Sequence, residues 1–367
     1  MYKKVIGFLI FSLYSLVLFV AIDQGPLVSM QSFILGIAGM VVIILASSSI
    51  AIKIRLIDES DSDRKEHDGK IPLVGGIGLF ASLFYASYVF GFDQFYLYLV
   101  ASLVPIMIVG LVDGIRDVRP VYRVIAQIFA SWIIILSTDI YVKNLGDLFG
   151  LGLINLGQLG IPFTIFGVVG ICNAFNMIDG KDGLLGSVTV VIMCSLLLLF
   201  FLEGQTFLWG QIVAFSVLIY LAFNLDLFGK RRKIFLGDHG STGLGHLVAW
   251  TLIYLSQSSE IITPVSALWF VSLPLTDALL TCIRRYKSSV SIFNADRLHF
   301  HHKLSDIGYT DRSILLIFSI ITILSCAIAV ITLRLDIQES IVFYGYITLF
   351  AVMALLGFIK PESKSDS

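Results

Sequence analysis

The sequence predicts an all-α, polytopic integral membrane protein, and three observations carry that reading. Hydrophobic residues make up 57% of the 367, charged residues only 14%, and the mean hydropathy is +0.91. Apolar runs of 17 or more residues recur along almost the whole chain, each long enough to cross about 30 Å of hydrocarbon. The bases are also one-sided. With helices alternating in direction, 23 of the 25 Lys and Arg fall on one face, leaving Lys143 and Arg334 on the other. The positive-inside rule puts the loaded face and both termini in the cytoplasm, as expected of a plasma (inner) membrane protein. The lipid bilayer is thus the expected first partner, and no nucleic acid is expected.

Twelve helices are expected, at roughly 5–22, 30–52, 73–91, 95–112, 121–139, 161–178, 184–202, 207–228, 241–257, 262–283, 313–333 and 340–359. Together they form a single transmembrane domain over 1–367, followed by a short cytoplasmic tail at 360–367. Met1-Tyr2-Lys3-Lys4 resembles the start of a signal peptide, but the run is long and Phe19-Val20-Ala21 lacks a small-x-small ending. An uncleaved first helix is the expectation. Cys172, Cys194, Cys282 and Cys326 lie inside or at the end of apolar helices without metal-ligand spacing, and read as small apolar residues.

The loops on the basic face differ from one another. In the first, mixed charge gives way to Lys70-Ile71-Pro72-Leu73-Val74-Gly75-Gly76-Ile77. Arg64, Lys65 and Lys70 form a basic rim beside a Gly-Gly pair where a bulky ligand can approach backbone; the plain alternative is a solvated loop. The second runs from Asp113 to Arg123, with Asp113 and Asp117 one helical turn apart at the end of the fourth helix. Buried in the membrane such acids are functional; at the interface they can simply stay wet. On the far face, 139–160 is Gly-rich and loosely amphipathic, which predicts a short hairpin or surface segment.

The third loop organises the rest. Asn173-Ala-Phe-Asn176-Met-Ile-Asp179-Gly-Lys-Asp182-Gly183-Leu184 sits between two apolar runs. Asn173, Asn176 and Asp179 recur every three residues and neighbours share a helix face, but continued helix would put Asp182 on the opposite side. The helix is expected to break at Asp179-Gly180, so that a loop turns all four polar groups toward one point.

In the fourth loop, Lys230 to Lys233 read as a topology anchor, and Gly237-Asp238-His239-Gly240-Ser241 as an acid held by permissive backbone, with Ser241 a candidate helix cap. Asp238 can ligate a cation or cap. The fifth carries Arg297 and then His299, His301 and His302. Zinc is a competing reading there, but no Cys is near, and phosphate binding by His and Arg explains the cluster equally well. Together the loops offer oxygen ligands suited to Mg²⁺ or Mn²⁺ and positive charge suited to phosphates. That is phosphoryl chemistry on a metal-bridged diphosphate at a membrane surface.

The Asn173–Leu184 stretch closely resembles the signature of the polyprenyl-phosphate N-acetylhexosamine-1-phosphate transferases. Lys70–Ile77, Leu236-Gly-Asp238-His-Gly-Ser241 and Asp296-Arg-Leu-His-Phe-His-His302 match the same family in the same order, over about residues 53–310. The His-x-His-His form and Ile-Pro-Leu-Val-Gly-Gly look like the branch that makes undecaprenyl-diphospho-GlcNAc, and less like the phospho-MurNAc-pentapeptide transferases. The resemblance implies a family core at about 30–335, with the helix at 5–22 an addition. It implies transfer of a sugar-1-phosphate, GlcNAc-1-phosphate foremost, from a UDP-amino sugar to undecaprenyl (polyprenyl) phosphate, releasing UMP and starting a cell-surface polysaccharide such as O-antigen. By similarity Asp238 is the leading metal ligand with Asn176 its partner, and Phe235 stacks on uracil. Asp179 and Asp182 line the nucleotide pocket, Asn173 is a further substrate-binding residue, Asp113 and Arg123 handle the lipid phosphate, and Arg297 and the histidines the diphosphate or sugar. A homodimer is compatible with the sequence.

Two departures stand out. Where the family has two adjacent acids, this chain has Asp113-Gly114, and Arg123 stands where a lysine is usual. The expectation is that Asp113 and Asp117 share the acid role. The segment before Arg64 lacks the usual Asp-x-Pro-Asn. The alternatives are a catalytically impaired relative, motivated by Gly114, and a transporter, since intramembrane acids and broken helices also mark transport pathways.

Overall fold

The computed structural model describes residues 27–59, 70–116, 118–288 and 299–358; the expected helix at 5–22 lies outside them. Thirteen α-helices are present among these residues. Helices α1 (Leu27–Ile54), α2 (Gly75–Val89), α3 (Gln94–Ile115), α4 (Pro120–Thr138) and α5 (Gly160–Ile178) lead to the central turn. Helices α6 (Leu184–Leu202), α7 (Leu208–Asn224), α8 (Asp238–Gln257), α9 (Pro264–Phe270), α10 (Ser272–Lys287), α11 (Phe300–Ile307), α12 (Asp311–Arg334) and α13 (Glu339–Phe358) follow. By length and composition six of them can cross a membrane: α1, α3, α4, α5, α6 and α12. The protein is therefore a polytopic, membrane-bound helical protein.

The count of twelve spans does not follow directly from these helices, for physical reasons. Helices α2 and α7, with 15 and 17 residues, are short, rising about 22–26 Å at 1.5 Å per residue. Helix α8 is long enough but carries Asp238, His239, His246 and a run of Ser, Thr and Gly. The expected span at 262–283 is broken into α9 and α10, which meet at 83°. Pro274 sits in the first turn of α10 and has no N–H to return to the carbonyl four residues back, that of Phe270. The Cys326 Sγ approaches that carbonyl oxygen at 3.9 Å instead.

Helix α8 is the axis of the bundle. Every residue from His239 to Leu252 is buried, against α5, α3 and α2 among others. Small residues permit this: a Cβ added at Gly245 would lie 2.7 Å from the Cys172 Cα of α5, so the two backbones approach as membrane helices with small interface residues do.

At the basic end, strands β1 (Ile57–Glu59) and β2 (Lys70–Pro72) pair antiparallel, Ile57 opposite Pro72. The chain entering α8 docks beside them. Phe235 N–H donates to Pro72 O at 2.9 Å, and Gly75 and Gly76 N–H donate to Phe235 O and Leu236 O at 2.9 and 3.0 Å. The first and fourth loops are thereby one unit. At the other end, 143–156 forms the expected hairpin, with Asn144 bridged to Asn155. Gln257, the last residue of α8, clamps it: its Oε1 accepts from Lys143 N–H at 2.8 Å and its Nε2 donates to Asn144 O at 3.1 Å.

Candidate active site

Three helix ends meet around Arg123. Pro120 starts α4 at its first position, where a missing N–H costs nothing, and Arg123 lies one turn in. Its Nη1 is 3.3 Å from a carboxylate oxygen of Asp113, in the last turn of α3, and also pairs with Asp238 at the first residue of α8. Asp113 further accepts from the Val118 N–H at 2.8 Å, which folds the second loop back on it. One guanidinium thus gathers two acids separated by 125 positions in the sequence. A cavity of about 10 Å³ beside them is lined by Gly110, Arg123, Gln127, Asp238 and Thr242, among others.

The backbone presents Asp238 because Gly237 takes φ +76°, a conformation that suits glycine. The helix then begins at Asp238, so Ser241 is not its cap: the cap position is Gly237, with no side-chain bond. Ser241 works sideways instead, its Oγ accepting from the Asn176 Nδ2 at 2.9 Å.

The central stretch breaks where expected. Helix α5 ends at Ile178, Asp179 closes it, and α6 starts after Gly183, which has φ +76°. Desolvation first, and then the Asp238 and Asp182 carboxylates, hold the Asp179 carboxyl well above the usual range. Asp182 pairs with Lys233, whose Nζ lies 5.4 Å from the Phe235 ring centre. Lys181 pairs with Asp311 of α12 at 2.8 Å. Asn173 turns into a helix interface: its Nδ2 donates to Gln127 Oε1 of α4 at 3.0 Å and to Val169 O at 2.7 Å.

The histidines come to the same turn. A Cβ added at Gly180 would lie 2.6 Å from His301 Nε2, so the ring rests directly on the glycine between Asp179 and Lys181. His299 and His301 stack nearly parallel, and His301 and His302 have ring centres 4.2 Å apart. Burial first, with His302 next, pushes the His301 imidazole down to about 3, so it is neutral at ordinary pH.

Lys70 lies exposed in β2, and Phe235 is half-buried at the junction of the two loops. Arg64, Lys65, Asp117 and Arg297 lie outside the described residues. Among the described residues no three His, Cys, Asp or Glu form a metal cluster on their own, and the oxygen donors here come from different elements.

Three further residues went unremarked in the sequence. Asn224 ends α7 buried, its Oδ1 accepting from Gly183 N–H at 2.6 Å and its Nδ2 donating to Ile234 O at 3.0 Å, which locks the third loop to the fourth. Gln127 holds Asn173. Asp277, buried in α10, holds His299 at 3.0 Å. All three are polar residues inside apolar runs, and that signal marks them.

Gly114 does not face this constellation. A Cβ there would meet Leu56 Cδ1 at 2.7 Å and Leu73 Cδ1 at 3.5 Å, an apolar contact between the end of α1 and the first loop.

Residues 96–256 match glycosyl transferase family 4. A protein of Salmonella typhi named undecaprenyl-phosphate alpha-N-acetylglucosaminyl 1-phosphate transferase is 33% identical over 323 residues, 86% of each chain. Proteins of the same name are 35% identical in Yersinia pestis, over 80% of this chain and 81% of that one, and 34% identical in Haemophilus influenzae, over 88% and 92%.

Proposed function

This chain belongs to glycosyl transferase family 4, and from that premise we propose that it transfers GlcNAc-1-phosphate from UDP-GlcNAc to undecaprenyl phosphate, releasing UMP. The observation that carries the reading is the meeting of Asp113 and Asp238 on Arg123, beside the turn that bears Asn176 and Asp179. Acids, an amide and a guanidinium at helix ends suit a lipid phosphate arriving from the bilayer and a nucleotide sugar arriving from water. The one-sided Lys and Arg distribution supports a cytoplasmic site.

In this reaction an oxygen of the lipid phosphate attacks the β-phosphorus of the nucleotide sugar. A P–O bond forms there as the bond to the bridging oxygen breaks, and UMP leaves with that oxygen. Arg123 is suited to exchange an acid for the incoming phosphate, since charge-assisted bonds to phosphate oxygens are strong. Asp113 then orients the acceptor phosphate. Asp238 and Asn176 would hold Mg²⁺, a hard ion that takes few protein oxygens and completes its shell with phosphates and water. Their all-oxygen donors on separate elements fit that chemistry, in which the ion neutralises diphosphate charge. Phe235, with Lys233 over its ring and Asp182 beyond, offers a stacking face for uracil.

The decisive measurement is UMP release by the purified protein from UDP-GlcNAc with undecaprenyl phosphate and Mg²⁺. Release that stops on chelation is expected; no release from any UDP-N-acetylhexosamine would overturn the reading.

A further inference from the structure

Asp277 has no part in the chemistry above, yet it is a carboxylate at 2% exposure in helix α10. A buried charge persists only where specific bonds hold it. One oxygen, Oδ2, lies 3.0 Å from His299 Nδ1. The other, Oδ1, accepts from the Phe300 N–H at 2.9 Å and lies 3.9 Å from Arg284 Nη2. Arg284 in turn donates to Thr281 Oγ1 at 2.8 Å, which is 3.4 Å from the same His299 nitrogen. His299 stacks on His301 with ring centres 5.9 Å apart and planes 6° from parallel, and His301 rests on Gly180 of the central turn. A line of contacts therefore runs from a buried acid to the candidate site.

An ionised carboxylate only accepts hydrogen bonds, so the facing Nδ1 carries the proton. The neutral ring then has its lone pair on Nε2. We propose that Asp277 is a positioning residue for the transferase reaction: its Oδ2 fixes His299 as the Nδ1–H tautomer, while its Oδ1 anchors the start of α11. His299 Nε2 becomes the basic nitrogen of the row. It takes the proton of an incoming phosphate monoester and returns that N–H as a hydrogen bond to phosphate oxygens, Asp277 steadying the charged ring. This role rests on the proposed transferase reading.

Asp277→Asn separates the two contacts. The amide oxygen still accepts from Phe300, but Nδ2 is a donor and forces His299 to accept at Nδ1, moving its proton to Nε2. Asp277→Ala removes both contacts. The full chain in detergent or nanodiscs is assayed for UMP release with kcat and KM measured separately, alongside melting temperature and histidine-ring ¹⁵N spectra. Asp277→Asn is expected to lower kcat by about 10²-fold or more, with KM for UDP-GlcNAc and melting temperature nearly unchanged and the His299 proton moved. Asp277→Ala is expected to lose stability as well. The double variant Asp277→Asn/His299→Ala should be no slower than His299→Ala, because the two act as one unit. Wild-type kcat in Asp277→Asn would overturn the role. A wild-type spectrum with the proton on Nε2 would overturn the tautomer alone, without turnover. A wild type that releases no UMP overturns the transferase reading and the role with it, leaving the tautomer to be judged by the spectrum.

Discussion

The Asn176 side-chain amide donates to Ser241 Oγ at 2.9 Å, tying the last turn of α5 to the first turn of α8. With Nδ2 so occupied, Oδ1 is the oxygen left for a cation. Ser241→Ala is therefore expected to raise the Mg²⁺ concentration for half-maximal UMP release by about 10-fold, as loss of a ligand's outer partner typically does. An unchanged Mg²⁺ titration would remove Asn176 as an oriented ligand.

Arg123 meets both of its acids through one nitrogen, Nη1. An ammonium can occupy such a point, so Arg123→Lys should keep activity within about 10-fold. Arg123→Ala leaves Asp113 and Asp238 facing each other uncompensated and should cost about 10²-fold or more in kcat/KM, in line with losses at sites that stabilise charge. Equal activities for the two variants would contradict this.

Gly114 is walled by Leu56 and Leu73. Restoring an acid there, as Gly114→Asp, should not raise turnover. Forcing a carboxylate against buried Leu56 should cost about 1–3 kcal/mol, as overpacking does, visible as a lower melting temperature. A faster and equally stable variant would show that the missing acid limits catalysis.

His301 sets a pH dependence whose sign can be worked out. Its folded value of about 3 lies below the ordinary 6.5, so between those values the unfolded chain binds more protons. Its contribution to stability is therefore lost as pH falls through that window. Asp179, held high by desolvation, acts with the opposite sign: its contribution is present at low pH and lost as pH rises. Comparing wild type with His301→Gln isolates the first effect. The drop in melting temperature from about pH 7 to about pH 4.5 should shrink in the variant; an identical drop would show that His301 is not the group responsible.

Periodicity made much of this architecture legible. The break after Ile178 follows from the incompatible spacing of Asp182, and the hairpin at 143–156 from its glycines. The bend at α9–α10 was carried by Pro274, easily passed over because the surrounding run is apolar on average. Interface partners were harder to read. Gln127 lies 46 positions from Asn173 and Asn224 41 from Gly183, and pairing across such distances is decided by packing. Ser241 was misread as a cap because its type suits that role, whereas Gly237 had already supplied the turn.

Helix α8 begins with Asp238 and ends with Gln257, which grips the hairpin at the opposite end of the bundle. At 1.5 Å per residue its 20 residues make a rod about 30 Å long, sheathed in protein for most of that length. Such a shaft has little room to bend or rotate independently of its ends. A tilt imposed on the hairpin would therefore arrive at the opposite end as a displacement of the aspartate, so that the two ends of the bundle move together.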